Sequence, residues 1–261
     1  MPDDVALDVL ARGELDVVGR LMEASNATLL TRVRLDEIET YCVYKPVAGE
    51  RPLWDFPGRT LSRREVAAYL VSAAAGWQVV PPTVLREGPF GPGSVQWWVG
   101  QDSSGMVDVV APHEVPPGWL RVLDAESYDG SPVTLVHADD PDLQQVAVFD
   151  IVAANADRKG GHLLRQQDLV RGIDHGLTFH TDDKLRTVLW GWAGQRLPEA
   201  LLDDLARLEQ ALHGSPLEEA LADLLAPEEL DTLHRRVQRL RTKARFPRPA
   251  PGRPPIPWPA L

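Results

Sequence analysis

The sequence has few of the features that would crosslink a protein or place it in a membrane. Cys42 is the one cysteine among 261 residues, so neither an intrachain disulfide nor a cysteine-based zinc site can form. No apolar run approaches the roughly 18 residues that a membrane span needs. Met1 leads directly into Pro2-Asp3-Asp4, without a basic and apolar leader. We therefore expect a cytoplasmic protein that is neither exported nor membrane-spanning.

Basic residues are also in the minority. The chain has 27 Lys and Arg against 38 Asp and Glu, and its net charge of −11 disfavours broad binding to nucleic acid or to an anionic membrane. The exception is residues 232–261, which contain eight Lys or Arg and no acid. This basic segment could dock a phosphate-bearing partner, or it could pair with the protein's own acidic residues.

The N-terminal residues have the alternation that is typical of antiparallel strands. Residues 14–22 and 28–35 alternate or cluster apolar residues on either side of a small, polar stretch, which predicts a hairpin. Residues 39–46 predict a third strand. Since side chains alternate along a strand, Lys45 shares one face with Tyr41 and Val43.

One helix and two further strands complete the predicted N-terminal sheet. Ser62 and Glu65 have the spacing of a capping box, followed by apolar residues at helical spacing as far as Gly76. Residues 79–85 and 94–99 predict two strands around a turn rich in Gly and Pro. The first hundred residues thus predict a five-stranded sheet with one helix.

The pattern becomes helical further along the chain. Asp140 followed by Pro141 predicts the start of a helix. Three later helices are also predicted: one over residues 198–212, one that begins at residue 216, and one over residues 227–245. The predicted class is α+β with two lobes. Residues 1–100 would form a sheet lobe and 101–245 a mainly helical lobe, while 246–261 would be an extended tail rich in Pro and Arg, lying along the surface or free.

The chemistry is concentrated in residues 155–164 and 173–177. A polar loop, a short strand, a turn and a second strand are expected to bring Asp157 and Asp174 to the mouth of one site. Phosphoryl transfer uses one carboxylate to orient or deprotonate the acceptor hydroxyl and another to hold the cation that bridges the phosphates. The strand-borne Lys45 could supply the remaining charge neutralisation.

Asp157-Arg158 followed by the Ile173-Asp-His-Gly176 strand resembles the catalytic and metal-binding loops of type II phosphatidylinositol 4-kinases and HipA-type kinases. Val43-Tyr-Lys-Pro46 is similar to the lysine strand of that phosphatidylinositol 3-/4-kinase-like branch, and residues 25–28 fall at its phosphate-binding hairpin. The segment 51–56 and the Pro-rich end are similar to short actinobacterial members. The resemblance covers roughly residues 14–195 and implies a protein-kinase-like fold.

The resemblance also implies roles for individual residues. Lys45 would contact the α- and β-phosphates of ATP, with Glu65 as its orienting partner, while Asp157 would be the catalytic Asp and Asp174 the principal Mg²⁺ ligand. The phosphates would be capped by Ser25, Asn26 and Thr28, and adenine would meet the hinge at 96–99, which includes Gln96 and Trp98. Taken alone, Lys45 could instead be a solvated strand lysine, and Glu65 could be only a helix-capping acid.

One position departs from the family pattern. Where that branch has Asn as second metal ligand, five residues after the catalytic Asp, this chain has His162. A neutral imidazole suits Mn²⁺ and softer ions better than Mg²⁺. His162 therefore implies a shifted metal preference or an impaired activity, unless it is an ordinary hydrogen-bonded loop histidine.

These observations predict an ATP-dependent kinase that uses Mg²⁺ or Mn²⁺ and phosphorylates a hydroxyl acceptor of unknown identity. The acidic composition favours a soluble or protein acceptor over a lipid, and stable membrane insertion is not expected. Two alternatives stay open. One is a nucleotide-binding pseudokinase that serves as an interaction module, and the other is a nucleotidyltransferase that binds ATP in the reverse orientation. The basic, Pro-rich tail could bind a protein partner.

Overall fold

The computed structural model describes residues 1–21, 26–56, 58–100 and 105–261. The N-terminal part consists of helices α1 (Asp3–Arg12) and α2 (Leu61–Ala74) and strands β1 (Glu14–Arg20), β2 (Leu29–Leu35), β3 (Ile38–Pro46), β4 (Thr83–Gly88) and β5 (Gly91–Trp97). The five strands form one antiparallel sheet in the order β1-β2-β3-β5-β4. The predicted five-stranded sheet is thereby confirmed.

The two faces of strand β3 have different partners. Cys42 and Tyr44 are fully buried and pack with Val9 and Leu10 of α1. Lys45 alternates with them and contacts α2 on the other side. Helix α1 was absent from the sequence-based prediction, although its buried residues Ala6, Val9 and Leu10 have helical spacing.

The predicted capping of α2 by Ser62 and Glu65 is wrong. The N-cap residue is Thr60, and the helix begins at Leu61 rather than after Ser62. The backbone N–H groups of Leu61 and Ser62 donate to the carboxylate of Glu50 at 3.2 and 2.8 Å. Because Glu50 supplies the capping acceptor from the preceding loop, the carboxylate of Glu65 is left to make contacts elsewhere.

The fourth strand also begins later than predicted. It starts at Thr83 rather than at residue 79, because Pro81 and Pro82 have no N–H group to donate to a neighbouring strand. The fifth strand starts earlier, at Gly91, and pairs back to Gly88 across a tight turn. The Gly/Pro-rich turn is therefore shorter than its composition indicated.

The second half of the chain combines helices with two small sheets. A three-stranded antiparallel sheet, which the sequence did not predict, has the order β6-β8-β7. The elements are β6 (Val107–Val110), β7 (Trp119–Glu126), β8 (Pro132–Ala138), α3 (Pro141–Ala153), β9 (Leu163–Gln166), β10 (Leu169–Gly172), α4 (Glu199–Ala211), α5 (Pro216–Ala222) and α6 (Pro227–Lys243). Asp140 caps α3, as predicted, and Ser215 caps α5, which begins at the predicted residue Pro216. The α+β class is confirmed.

The larger hydrophobic core joins the two halves of the chain. Ala67 and Val71 of α2 belong to the same buried cluster as Phe149 of α3, Leu205 of α4 and Val237 of α6. Helix α2 is thus fixed on one side to the sheet and on the other to the C-terminal helices. The proposed lobe boundary near residue 100 stays a prediction.

The C-terminal tail lies along the body of the protein. The carbonyl of Pro255 accepts hydrogen bonds from the Thr187 N–H and from the Trp190 indole at 3.0 and 2.9 Å. The carbonyl of Ala260 accepts from the Gly160 N–H at 2.8 Å. Within the described residues, no helix is both long and apolar enough to cross a membrane.

Candidate active site

Lys45 lies at the centre of the polar site. Its ammonium group donates hydrogen bonds to Glu65 Oε1 and, at 2.9 Å, to Asp174 Oδ1. These three side chains come from β3, from α2 and from the segment after β10. The Glu65 side chain is 3% exposed and that of Asp174 is 47% exposed. The cluster is therefore shielded from solvent at α2 and accessible to solvent at Asp174.

The charges of this cluster reinforce each other. Burial disfavours the charged form of Lys45, but the carboxylates of Asp174 and Glu65 outweigh it and raise the pKa of Lys45 above its usual value. Lys45 is in turn the main cause of the lowered pKa of Asp174. Lys45 is therefore a fixed cation and Asp174 a fixed anion at neutral pH.

Glu65 connects Lys45 to the backbone beside Asp174. Its Oε2 atom accepts a hydrogen bond from the His175 N–H at 3.0 Å. A Cβ at Gly176 would lie 3.3 Å from the Leu61 Cβ, so α2 approaches this backbone closely. Asp174 has a φ of 62°, a left-handed conformation that non-glycine residues adopt mainly where the surrounding structure enforces it.

The second predicted carboxylate, Asp157, has a different environment. Its N–H donates to Asn155 Oδ1 at 3.0 Å, and its carboxylate lies 3.1 Å from Lys159 Nζ. Burial raises the pKa of Asp157, the negative charge of Asp174 adds to this, and Lys159 opposes it only in part. The pKa values of the two carboxyl groups are thus shifted in opposite directions, which is typical of sites with separate acid–base and electrostatic roles.

Arg158, to which the sequence analysis gave no role, holds the loop in place. It is fully buried and forms a 2.9 Å ion pair with the equally buried Asp150 of α3. Its guanidinium also donates to the carbonyls of His162 and Ile173 at 3.3 and 3.1 Å, and to His175 Nε2 at 2.8 Å. One side chain therefore fixes both the loop after Asp157 and the segment that carries Asp174.

His162 lies beside the open side of Asp174. Its Nε2 atom is 3.6 Å from Asp174 Oδ2, and its Nδ1 atom is buried without a hydrogen-bond partner in the described part of the chain. Burial lowers the pKa of His162 to about 4, so the imidazole is neutral at neutral pH and retains a lone pair. This environment allows the predicted role as a metal ligand.

The described residues contain no group of three or more His, Cys, Asp or Glu side chains that could hold a metal ion. Mg²⁺ in phosphoryl-transfer sites is usually held by one or two carboxylates together with substrate phosphates and water, rather than by a cage of protein ligands. The half-exposed carboxylate of Asp174 with His162 beside it fits a cation that arrives with a nucleotide. It does not fit a permanently bound structural metal.

The predicted nucleotide-binding residues on the sheet are differently placed. Ser25 lies outside the described residues. Asn26 Oδ1 accepts a hydrogen bond from the Arg51 N–H at 2.9 Å, while Thr28 is buried. The buried Gln96 amide donates to Thr83 Oγ1 at 2.9 Å, and the Trp98 N–H donates to the Tyr41 carbonyl. None of these roles in nucleotide binding is tested by the structure, and all stay predictions.

The fold and site together define an α+β protein with a buried Lys–Glu pair and a half-exposed Asp at the junction of sheet and helices. No family model matches the chain. It is 50% identical over 264 residues to protein Rv2133c of Mycobacterium tuberculosis, with 97% of this chain and 94% of that protein covered. The chain therefore belongs to the family of Rv2133c.

Among solved structures, the chain is similar to the Helicobacter pylori proinflammatory kinase CtkA. The similarity covers 90% of this chain and 94% of that chain, with 11% sequence identity and a TM-score of 0.49. A likeness this distant assigns no activity to the chain.

Proposed function

We propose that the protein is an ATP-dependent phosphotransferase that moves the γ-phosphate of ATP to a hydroxyl group. The observation that carries this proposal is the position of the Lys45 ammonium between the carboxylates of Glu65 and Asp174. Phosphoryl transfer depends almost entirely on positioning and on neutralising the charge of the phosphates. A lysine cation fixed on a rigid strand meets that requirement.

Each residue of the cluster has a distinct role in this proposal. Lys45 contacts the phosphates, and Glu65 holds its ammonium group in place from α2. Asp174, with its half-exposed carboxylate, is the residue that would hold a divalent cation, and His162 is placed to assist. Such a cation neutralises charge on the phosphates when it is bound. Arg158 positions Asp174 and His162 through the backbone.

Asp157 is the candidate acceptor-side carboxylate. Its raised pKa makes it a better proton acceptor than an ordinary surface carboxylate, because a base works best when its pKa is closer to the working pH. Lys159, 3.1 Å away, keeps it ionised enough to orient the acceptor hydroxyl. The net charge of −11 favours a soluble molecule or a protein as acceptor over a lipid at an anionic membrane.

A second candidate function is nucleotide binding without turnover. It is favoured by the partly buried, neutral His162 at the position where the kinase branch that this chain resembles has an Asn ligand. An imidazole is a poorer ligand for Mg²⁺ than an oxygen donor, which would weaken the cation site. A protein of this kind would bind ATP and form no product.

The products formed from ATP distinguish these functions. The purified chain is incubated with ATP and either Mg²⁺ or Mn²⁺, and ADP and pyrophosphate are quantified for the wild type and for Asp157→Asn. We expect slow ADP formation that falls by about 10²–10⁴-fold in the variant, the usual contribution of a positioned acid–base group. The exposed turn residue Asp168 provides the matched control Asp168→Asn, which should retain the wild-type rate.

Three outcomes would contradict the proposal. Pyrophosphate as the product would indicate nucleotidyl transfer. ATP binding without any product would favour the non-catalytic function. ADP formation that Asp157→Asn leaves unchanged would remove Asp157 from the mechanism and point to a contaminating ATPase.

A further inference from the structure

A second polar site lies away from Lys45, between α6 and the segment 181–183. It is a groove of about 550 Å³, within the size range of small-molecule sites. Its lining contains four cationic side chains and one acid, Asp183, together with the hydroxyls of three threonines. The lining residues are Thr181, Asp183, Thr232, Arg235, Arg236, Gln238, Arg239, Thr242 and Lys243. We call this the α6 groove.

Arg236 is the most unusual residue of the α6 groove. It is 4% exposed, and its Nη2 atom donates to the carbonyls of His180 and Asp182 at 2.6 and 2.7 Å. Its Nη1 atom is buried and has no hydrogen-bond partner among the described residues. Burial lowers the pKa of Arg236 to about 10. Because Arg236 lines the groove and its positive charge is disfavoured by burial, an anion bound in the groove would stabilise the charged form of this guanidinium.

The protein's own acids account for only part of the basic charge in this region. Arg239 pairs with Asp183 at 3.1 Å, Arg241 with Glu209 of α4, and Arg253 with Asp182 at 3.8 Å. Arg235 donates a hydrogen bond to the neutral hydroxyl of Thr232. Within the described residues, Arg235, Arg236 and Lys243 therefore form no ion pair with an acid, although Asp183 and Asp182 lie close enough to favour the charged form of Arg236.

The wall of the groove is well anchored. On the side away from α6, Lys184 forms an ion pair with Asp55 at 2.7 Å, and the buried Phe56 ring packs edge-on against His180 at 5.3 Å. The segment is thus held from one side by the loop before α2 and from the other by Arg236. A groove between two fixed walls is ready to bind a ligand without a large ordering cost.

We propose that the α6 groove binds a small phosphorylated molecule. Arginine forks match phosphate oxygens, and a phosphate group offers three strong acceptor oxygens to donors that surround it from several directions. The groove has more guanidinium, ammonium and hydroxyl donors than the two oxygens of a planar carboxylate can accept. A phosphate group therefore matches the groove better than a carboxylate does. The overall charge of −11 opposes binding of a long nucleic acid, which favours a small anion. This inference does not rest on the proposed phosphotransferase activity.

Calorimetric titration of the full chain with pyrophosphate and with inorganic phosphate tests the proposal. In the double variant Arg235→Gln/Lys243→Gln, both altered side chains are exposed and Asp183 keeps its partner, so the fold should be retained. We expect its Kd for pyrophosphate to rise about tenfold or more, since charge-assisted hydrogen bonds are lost. Arg241→Gln, on the same helix but outside the groove, should bind as the wild type does.

Lys45→Ala distinguishes the groove from the site around Lys45. Binding that survives in Lys45→Ala and is lost in the double variant supports the α6 groove as the binding site. Binding that is lost in Lys45→Ala and unaffected by the double variant would overturn the proposal, and so would undetectable binding of both anions at physiological ionic strength. Equal affinity for citrate, a polycarboxylate, would contradict a preference for phosphate.

Discussion

Arg158 and Asp150 form an ion pair in which neither side chain is exposed to solvent, with Nη2 and Oδ1 2.9 Å apart. Arg158 Nε lies 3.2 and 3.0 Å from the two oxygens of the same carboxylate. Asp150 also accepts from the Asn155 amide at 2.9 Å. The end of α3 is thereby tied to the loop that carries Asp157 and, through Arg158, to the backbone around Asp174.

The first prediction concerns this pair. Asp150→Ala should lower the free energy of unfolding by about 3–5 kcal/mol, because it leaves the Arg158 guanidinium buried without its counter-charge. Urea denaturation followed by circular dichroism measures the change. Asp8→Ala is the matched control, since it breaks the exposed pair with Arg12 and should cost less than about 1 kcal/mol. Similar small losses in both variants would show that Arg158 does not depend on Asp150.

The second prediction concerns the start of α2. Glu50→Ala removes the acceptor of the Leu61 and Ser62 N–H groups and should destabilise the protein by about 1–3 kcal/mol. Because α2 carries Glu65, ATP binding should weaken as well. Glu37→Ala, in the exposed turn between β2 and β3, should change stability by less than about 0.5 kcal/mol. Unfolding curves that coincide for Glu50→Ala and Glu37→Ala would rule out a capping role for Glu50.

The third prediction is a pH dependence that arises from His137. This buried side chain donates from Nδ1 to the Ala138 carbonyl at 2.8 Å and accepts at Nε2 from the Gly191 N–H at 3.0 Å. Burial lowers its pKa below the ordinary 6.5, and a second ring proton would face the Gly191 donor. As the pH falls below 6.5, the unfolded chain takes up a proton that the folded protein does not.

His137 therefore contributes its full share to the free energy of unfolding above pH 6.5. This share is lost as the pH falls from 6.5 through the folded-state pKa of His137. Urea unfolding of the wild type should show stability declining on acidification from pH 6.5, and His137→Gln should show a shallower decline from a lower starting value. His113→Gln, which alters an exposed histidine, should follow the wild type. If the free energy of unfolding of His137→Gln fell with pH as steeply as that of the wild type, His137 would not be the source of the pH dependence.

The fourth prediction concerns the choice of metal. His162→Asn replaces a nitrogen ligand with an amide oxygen beside Asp174, so it should raise the rate of ADP formation with Mg²⁺ relative to Mn²⁺. The ratio of the two rates is the quantity to measure, because it is insensitive to the amount of active enzyme. An unchanged ratio would mean that His162 does not contact the metal and has only a structural role.

The sequence was sufficient for features that depend on local chemistry. Period-two alternation placed Lys45 on the face opposite Tyr44, and Asp140 with Pro141 located the start of α3. The hairpin of β9 and β10 and its return to Asp174 were also predicted, because the polar loop and the short apolar strands are adjacent in the chain. Lys45 contacts Glu65, as the resemblance implied, whereas its contact with Asp174 was not predicted. The roles of these residues in binding a nucleotide stay predictions.

The features that were missed depend on residues far apart in the chain. Ser62 and Glu65 have capping-box spacing, but Glu50 caps the helix instead, and local spacing contains no information about that competitor. Arg158 was assigned no role because its burial depends on Asp150 and His175, which surround it only in the folded protein. Strand β7 is mostly exposed, so it lacks the apolar alternation by which strands are recognised.

In the proposed function, Lys45 and Asp174 bind the phosphates and the cation of a nucleotide. The most direct measurement is calorimetric titration of ATP, with Mg²⁺ and then with Mn²⁺, into the wild type, Lys45→Ala and Asp174→Asn. We expect one metal-dependent site in the wild type, with an affinity about tenfold or more lower in each variant, since each loses a charged contact. No binding with either metal, or binding that both variants leave unchanged, would contradict it.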